Sequence, residues 1–277
     1  MTFDYRGATA LVTGASKGLG QAFALELARR GARLILVARS EPQLTAVEDE
    51  IRQRYGNRDT EVIVADLVSP EGPRRICREL VDRGLVVDLL VNNAGAGGAG
   101  AFLRRPLDAQ VRSVDLNVNG LLALTYAIGG ELVARGSGGI VNVSSVAAFQ
   151  PMPYQATYAA SKAFVLSFSE SLAEELRDSG VHVMACHPGP VNTGFFEGTT
   201  AVMQAGADAP QRIASRTLDD FAKGRAASYP GKPAYRAITW IGRMLPRVAV
   251  ARFTGSLNRR QHFDEVTDLP SPDRQSS

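Results

Sequence analysis

The stretch TALVTGASKGLG, residues Thr9 to Gly20, is the strongest indication of the fold of this chain. Its first five residues form a short apolar run, which indicates a buried strand. Glycines follow at positions 14, 18 and 20, and an apolar pattern with helical spacing then runs from Phe23 until Gly31. Strand, glycine turn and helix together make the first half of a βαβ unit. The stretch therefore predicts an α/β fold built on a parallel sheet.

The same turn predicts a binding site for a pyrophosphate group. Glycines let the backbone turn tightly and approach an anion at the helix N-terminus, where free N–H groups and the helix dipole favour negative charge. The spacing is Gly-x3-Gly-x-Gly, which differs from the more common Gly-x-Gly-x2-Gly. The candidate cofactor-binding residues of this turn are Gly14, Ser16, Lys17, Gly18, Leu19 and Gly20.

Strands and helices continue to alternate along the rest of the chain, which predicts a doubly wound, mostly parallel sheet with helices on both faces. Between the strands we predict helices, including a long helix or a broken pair of helices over 107–135 and another that contains positions 158 and 162 and ends at about 178. The later strands are predicted over 33–38, 61–67, 86–91, 139–143 and 181–186, with a short last strand within 226–231.

The end of the second strand predicts the cofactor preference. NAD-binding proteins usually carry an acidic residue at this point for the ribose 2′-hydroxyl group. This sequence has Arg39 and Ser40 there instead. A guanidinium group binds a 2′-phosphate, and Lys17 would add a second positive charge. We therefore predict NADP(H) as the cofactor; the alternative is that Arg39 is an ordinary solvent-facing charge at a strand end.

Two further strand ends carry polar or small residues where ligands bind in such folds. Asp66 and Leu67 end the third strand, and the carboxylate of Asp66 is placed to accept a hydrogen bond from an adenine amino group. The fourth strand runs into Asn93, Ala94 and Gly95, and small residues continue to position 100. This second segment offers close backbone approach to a cofactor, and its alternative interpretation is a flexible loop.

A tyrosine and a lysine four residues apart, Tyr158 and Lys162, lie on one face of a predicted helix. A nearby cation favours the phenolate and is expected to lower the pKa of the tyrosine toward neutrality. Alone, the pair fits a solvated helix face equally well. Asn117 interrupts the pattern of the long 107–135 helix, where asparagine is unfavourable; the simple explanation is a local kink. Ser145 ends the fifth strand beside Ser144.

The composition is that of an ordinary globular protein, with 45% apolar and 21% charged residues. The two cysteines, Cys77 and Cys186, form neither a disulfide framework nor a metal-binding spacing, so we expect no metal and a cytoplasmic location. Residues 1–7 lack the apolar segment of a signal peptide. No apolar run approaches the roughly 18 residues of a membrane-spanning helix, so we expect no segment to span a membrane. The net charge of +3 gives no reason to expect a nucleic-acid partner.

Taken together, these residues resemble the short-chain dehydrogenases/reductases over roughly residues 7–195. The resemblance is carried by motifs that occur in the order found in that family, and Ser145 precedes Tyr158 by thirteen residues, as the catalytic serine of the family does. The motifs are Thr13-Gly14-x3-Gly18-x-Gly20, Asn92-Asn93-Ala94-Gly95, Asn117, Ser145, Tyr158-x3-Lys162 and Pro188-Gly189-x-Val191-x-Thr193.

The resemblance implies a Rossmann-type fold and a role for each catalytic residue. Tyr158 would exchange a proton with the alcohol or carbonyl oxygen, and Ser145 would hydrogen-bond that oxygen. Lys162 would lower the pKa of Tyr158 and hold the nicotinamide ribose, while Asn117 would hold a water that links Lys162 to solvent. The further cofactor contacts that the family pattern implies are Asp66, Asn93, Tyr158, Lys162, Pro188, Gly189, Val191 and Thr193.

The chain departs from the family pattern after residue 195. We predict a catalytic domain over 1–231 with a substrate loop over about 190–225, a basic amphipathic extension over 232–263 and a disordered tail over 264–277. Residues 221–263 carry nine Lys or Arg and no acidic residue. A basic amphipathic helix over 234–245 would either contact an anionic membrane through 234–252 or pack on the same subunit or a partner. We favour packing.

The expected function is reversible, NADPH-dependent interconversion of a carbonyl and an alcohol. Apolar residues near the predicted site favour a small-to-medium hydrophobic substrate: Val146, Phe149, Met152, Tyr154, Phe195, Phe196, Val202 and Met203. The resemblance also implies a homodimer or homotetramer. The competing hypothesis is a nucleotide-sensing protein on the same fold without significant turnover, and turnover of ketones and aldehydes separates the two.

Overall fold

The computed structural model describes residues 2–201 and 206–269. Two of the predicted pocket residues, Val202 and Met203, and the part of the predicted disordered tail from residue 270 onward therefore lie outside the described residues.

Seven parallel strands form one sheet in the order β3-β2-β1-β4-β5-β6-β7, which confirms the predicted doubly wound Rossmann-type architecture. The chain order reverses between β1 and β4, and ligands bind at such a switch point in open α/β sheets. The strands are β1 Thr9–Thr13, β2 Arg33–Ala38, β3 Thr60–Val64, β4 Leu89–Asn92, β5 Gly138–Val143, β6 Val181–Cys186 and β7 Ala227–Ser228.

Helices cover both faces of this sheet and contribute apolar side chains to a core on each face. Phe23 of α1, Leu44 of α2 and Phe221 of α7 belong to the core on one face. Ile76 of α3 and Leu124 of α5 belong to the core on the other. The helices are α1 Gly18–Arg29, α2 Glu41–Tyr55, α3 Glu71–Asp82, α4 Leu107–Val114, α5 Gly120–Arg135, α6 Ala156–Glu175, α7 Pro210–Ala222, α8 Pro233–Met244 and α9 Arg247–Arg260.

The predicted irregularity around Asn117 is a π-helical turn over Asp115–Asn119, which joins α4 to α5. Asparagine is unfavourable in a regular helix because its side chain competes for hydrogen bonds. In this turn the side chain of Asn117 forms hydrogen bonds with neighbouring segments. Such π turns are frequent at functional sites. The turn brings Asn117, which is buried, against the segment that follows β4.

The continuous segment Leu107–Arg135 is long and apolar enough to cross a membrane by length and composition, with a mean hydropathy of 1.2. This corrects the expectation that no segment reaches that length. However, 44% of the apolar window is buried inside the protein, and Leu124, Ile128 and Leu132 pack against the sheet. The core helix of a soluble protein has the same properties.

The C-terminal extension packs on the body of the same chain. Tyr235 of α8 lies over Gly189, where an added Cβ would come 2.4 Å from the tyrosine ring. Thr254 and Asn258 of α9 donate hydrogen bonds of 2.8 Å to the carbonyls of Pro151 and Pro153. The sequence did not predict α9 as a separate helix, because Gly255 lies within it and glycine has a low helix propensity.

Disorder was expected from residue 264, and this expectation is wrong for residues 264–269. Val266 is buried, Asp268 forms an isolated antiparallel bridge with Thr199, and the amide of Leu269 donates to the carbonyl of Gly198 at 2.8 Å. The polar composition suggested disorder. However, the backbone of Asp268 and Leu269 and the side chain of Val266 form contacts with distant parts of the fold.

Candidate active site

A cavity of about 990 Å³ opens along the carboxyl edge of the sheet at the switch point. Every predicted site residue lines it except Asn117, which lies behind its wall. The lining residues from the sequence prediction are Gly14, Ser16, Lys17, Gly18, Leu19, Gly20, Arg39, Ser40, Asp66, Leu67, Asn93, Ala94, Gly95, Ser145, Tyr158, Lys162, Pro188, Gly189, Val191 and Thr193.

The glycine turn has the geometry that a dinucleotide pyrophosphate requires. Gly14 and Gly18 adopt positive φ angles of 66° and 60°, which glycine reaches without strain. A Cβ at Gly20 would lie 2.0 Å from the carbonyl oxygen of Gly14, so only glycine fits there. The side-chain Nδ2 of Asn93 donates to the Thr13 carbonyl at 2.9 Å and holds the turn against β4. The residues present therefore fit the phosphates of a dinucleotide at the N-terminus of α1.

The two cations predicted for the 2′-phosphate differ in their surroundings. Arg39 is exposed beside Ser40 at the end of β2 and makes no ion pair with any described residue. Lys17 instead forms an ion pair with Glu197, which comes from the segment after β6. Arg39 is thus the cation whose charge is fully available to a phosphate.

Ser145 and Tyr158 meet at the substrate side of the cavity. Their side chains share a hydrogen bond, and Ser145 Oγ also accepts from the backbone N–H of Ala147 at 3.1 Å. The neighbouring Ser144 donates instead to the backbone carbonyl of Lys162 at 2.8 Å. The geometry therefore points Ser145, and not Ser144, toward the tyrosine. Two hydroxyl groups face the same point, where a substrate oxygen can accept from both.

Lys162 is buried one turn of α6 beyond Tyr158. Its ammonium donates to the carbonyl of Val143 at 2.8 Å and lies 6.0 Å from the centroid of the Tyr158 ring. Burial lowers the pKa of Lys162 to about 8, and the nearby Cys186 acts in the opposite direction. A Cβ at Gly95 would lie 3.3 Å from the ammonium, so the small residue after β4 leaves room beside the lysine.

The expected lowering of the Tyr158 pKa by Lys162 is wrong for this structure. Burial raises the pKa of Tyr158 to about 12, and the hydrogen bond from Ser145 opposes this only partly. The reason is that the phenolate would lose its hydration in the buried site, while the ammonium of Lys162 lies 6.0 Å from the ring centroid. At neutral pH Tyr158 is therefore protonated, which is the form that donates a proton.

The side chain of Asn117 is fully engaged by its neighbours. Its Oδ1 accepts from the amide of Ala96 at 2.9 Å, and its Nδ2 donates to the Ala96 carbonyl and to Ser161 Oγ, both at 2.9 Å. Ser161 lies next to Lys162 in α6. Asn117 thereby ties the segment after β4 to the catalytic helix, which is a contact that the sequence did not indicate.

The sequence also missed a group of cavity residues from the chain after β4 and from the C-terminal extension. They follow no motif, and the run of small residues was a signal for Arg105 alone, since an added Cβ at Gly98 or Gly100 would meet its side chain. These residues are Arg105, Gln110, Asn258, Phe263 and Asp268.

Residues 8–203 match the family model described as short chain dehydrogenase. This chain belongs to the short-chain dehydrogenase family. An uncharacterized oxidoreductase of Myxococcus xanthus (strain DK1622) is 40% identical over 185 residues, which cover 67% of this chain and 72% of the relative. This short-chain dehydrogenase is therefore an oxidoreductase by family.

Two solved structures resemble this short-chain dehydrogenase over nearly its whole length. A short-chain dehydrogenase from Sphingobium yanoikuyae in complex with NADPH has a TM-score of 0.75 and 29% identity, with 98% of each chain covered. The bulky-bulky ketone specific alcohol dehydrogenase from Comamonas testosteroni has a TM-score of 0.74 and 27% identity, with 98% of this chain and 99% of that chain covered. Both likenesses extend through the C-terminal extension.

Proposed function

We propose that this short-chain dehydrogenase is an NADPH-dependent reductase that interconverts a carbonyl and an alcohol on a small-to-medium hydrophobic substrate. The observation that carries the proposal is the meeting of Ser145 and Tyr158 in the same cavity that holds the glycine turn. A carbonyl group at this point accepts hydrogen bonds from both hydroxyls while its carbon stays open to the cofactor side of the cavity.

The proposed mechanism assigns one task to each residue. The nicotinamide, when bound, supplies the hydride. Ser145 polarises the carbonyl oxygen by donating a hydrogen bond, and Tyr158 donates its proton to that oxygen as negative charge develops. The ammonium of Lys162 then stabilises the phenolate that remains. Asn117 acts as a positioning residue, since it holds the helix of Lys162 through Ser161.

We propose NADP(H) as the cofactor because the exposed guanidinium of Arg39 lies at the end of β2, where an acidic residue would repel a 2′-phosphate. The Sphingobium yanoikuyae relative, which was solved with NADPH, supports this preference.

The rate of reduction is expected to depend on pH through Lys162. Because the pKa of Lys162 is about 8 and that of Tyr158 about 12, Lys162 loses its charge first as the pH rises. We therefore expect kcat/KM for reduction to be level below pH 8 and to fall above it, while Tyr158 keeps its proton. Initial rates measured from roughly pH 6 to pH 10 check this. A rate that stays level to the upper limit contradicts the role of Lys162.

The experiment that tests the proposed function is an NADPH-oxidation screen across steroid, acyl and aromatic carbonyl compounds. We expect turnover of apolar ketones or aldehydes, with rates well above those with charged keto acids, because aromatic and aliphatic side chains line the substrate end. Tight NADPH binding without turnover of any carbonyl compound would instead support the nucleotide-sensing alternative.

We further propose a cytoplasmic homodimer or homotetramer. The free thiols of Cys77 and Cys186 suit a reducing compartment. Membrane contact through 234–252 stays a secondary proposal: α8 and α9 pack on the same chain, but Met244 and Phe253 are exposed between arginines. Binding to anionic vesicles that does not exceed binding to neutral ones would eliminate it.

A further inference from the structure

A short segment from Phe263 to Asp268, here called the strap, follows α9 and forms one wall of the cavity. Phe263 and Val266 are buried in a small cluster with Ala99, and Phe196 of the substrate loop packs against it. The ring centroids of Phe196 and Phe263 are 6.0 Å apart. The strap therefore joins three distant parts of the chain at the substrate end.

The strap is held to the substrate loop by backbone hydrogen bonds. The amide of Thr200 donates to the carbonyl of Thr267 at 2.9 Å, and the amide of Thr267 donates to Thr200 Oγ1 at 3.0 Å. The amide of Leu269 donates to the carbonyl of Gly198 at 2.8 Å. The strap and the loop over 198–200 therefore form one unit, so a movement of either changes the wall of the cavity.

A nearly buried ion pair fastens the strap from the opposite side. Arg105 donates from Nε and Nη2 to the two carboxylate oxygens of Asp268 at 3.0 and 2.7 Å. The two side chains are only 11% and 18% exposed. Such bidentate pairing fixes direction as well as distance. We call this pair the latch.

The glycine run after β4 makes room for the latch. A Cβ at Gly98 would lie 2.1 Å from Nη1 of Arg105, and a Cβ at Gly100 would lie 2.7 Å from the carbonyl oxygen of Val266. Gly100 also has a φ angle of 130°, which favours glycine. The run had two interpretations from sequence, close cofactor approach and a flexible loop; at positions 98 and 100 it accommodates Arg105 and the strap.

The substrate end of the cavity is lined by aromatic rings, and an ion pair there joins a cation to an anion. The rings of Tyr158 and Phe195 meet edge to face at 5.1 Å, and Phe195 meets Phe196 in the same way at 5.3 Å. With the ring of Phe263 they form a continuous aromatic row that leads from the reacting hydroxyl to the strap. At the far end, Asp268 neutralises Arg105, so this cation does not offer its charge to a substrate carboxylate.

We propose that the strap and its latch determine substrate specificity, so that the enzyme takes carbonyl compounds with a compact aromatic or alicyclic substituent and discriminates against extended chains. This inference rests on the proposed carbonyl reductase function. The aromatic row contacts the substituent, and the latched strap limits its length. If the Arg105–Asp268 ion pair is broken, the strap can move away from the cavity and the guanidinium of Arg105 becomes available to a substrate carboxylate.

The test compares Asp268→Asn, which keeps the shape but removes the charge, with wild type on three substrates: an aryl ketone, a ketone with a long alkyl chain and an aromatic keto acid. We expect kcat/KM for the long-chain ketone and for the keto acid to rise by about tenfold relative to the aryl ketone. Asp268→Glu, which keeps the carboxylate, should stay near wild type. Arg104→Met removes a charge from an exposed neighbour of Arg105 and should leave all three ratios unchanged.

A second measurement reports on the latch without turnover. In wild type, the amides of Thr267 and Leu269 should be protected from hydrogen exchange, and Asp268→Asn should lose that protection while the core strands keep theirs. If hydrogen exchange at the amides of Thr267 and Leu269 is the same in Asp268→Asn as in wild type, the latch does not hold the strap. If wild type is active but Asp268→Asn leaves the kcat/KM ratios unchanged, the specificity claim fails and the proposed function is unaffected. If wild type reduces no carbonyl compound, the proposed function fails and the specificity claim with it, whereas exchange still decides the latch.

Discussion

Replacing Tyr158 by phenylalanine is expected to lower kcat for carbonyl reduction by ~10²–10⁴-fold, the usual contribution of a positioned acid or base. The change removes one hydroxyl, and with it the proton donor and the hydrogen bond to Ser145. Burial raises the pKa of Tyr158 to about 12, so the phenol carries its proton at neutral pH and can donate it. Steady-state NADPH oxidation with the best substrate of the screen measures the loss.

The variant must be shown to fold and to bind the cofactor as wild type does. The dissociation constant for NADPH should change by less than about threefold, because loss of the hydroxyl removes no contact to the phosphates. Tyr55→Phe removes the same atom from a partly exposed tyrosine of α2 and serves as the matched control. Reduction by the Tyr158 variant at the wild-type rate would show that another group donates the proton.

Replacing Arg39 by aspartate is expected to weaken NADPH binding by about 100-fold and NADH binding by much less. A charge-assisted hydrogen bond contributes about 1.5–3 kcal/mol, and an introduced carboxylate adds repulsion toward the 2′-phosphate. Arg39 makes no ion pair with the described residues, so the substitution leaves no internal charge unpaired. Fluorescence titration with both cofactors gives the two dissociation constants directly.

Arg58→Asp is the matched control for this experiment, because Arg58 is exposed like Arg39 and forms no ion pair with the described residues. Arg58 lies just before β3 begins and Arg39 just after β2 ends, so the same charge change is placed at the opposite edge of the sheet, away from the cavity. It should alter neither dissociation constant beyond about twofold, since exposed charges at that distance are largely screened. Equal weakening of NADPH and NADH by Arg39→Asp would mean that Arg39 does not bind the 2′-phosphate.

Lys17 lies where the sequence predicted, but its contact was not predicted. The sequence placed Lys17 in the glycine turn, and the structure has it at the cavity. The sequence did not indicate that Glu197, 180 residues later, pairs with the lysine. The tertiary contact makes Arg39 the better candidate of the two for a 2′-phosphate, because its charge is not shared.

The C-terminal region shows the limit of composition as a guide. Residues 264–269 are polar enough to suggest disorder, yet the buried Val266 and the paired Asp268 hold them in place. The basic extension allowed either a membrane surface or packing on the protein, and Thr254 and Asn258 hold α9 on the loop after β5 of the same chain. In both cases partners distant in the chain outweigh local propensity.

The sequence alone predicted the alternation of strands and helices along the chain, the glycine turn, the family and the group Ser145, Tyr158 and Lys162. These features are readable because each depends on backbone geometry or spacing within a few residues, such as the glycine required at position 20. Only the tertiary structure decided the pKa directions of Tyr158 and Lys162, since burial sets both. The latch between Arg105 and Asp268 was also visible only in the structure. The two residues lie 163 positions apart, and an ion pair between distant residues leaves no periodic or local signal in the sequence.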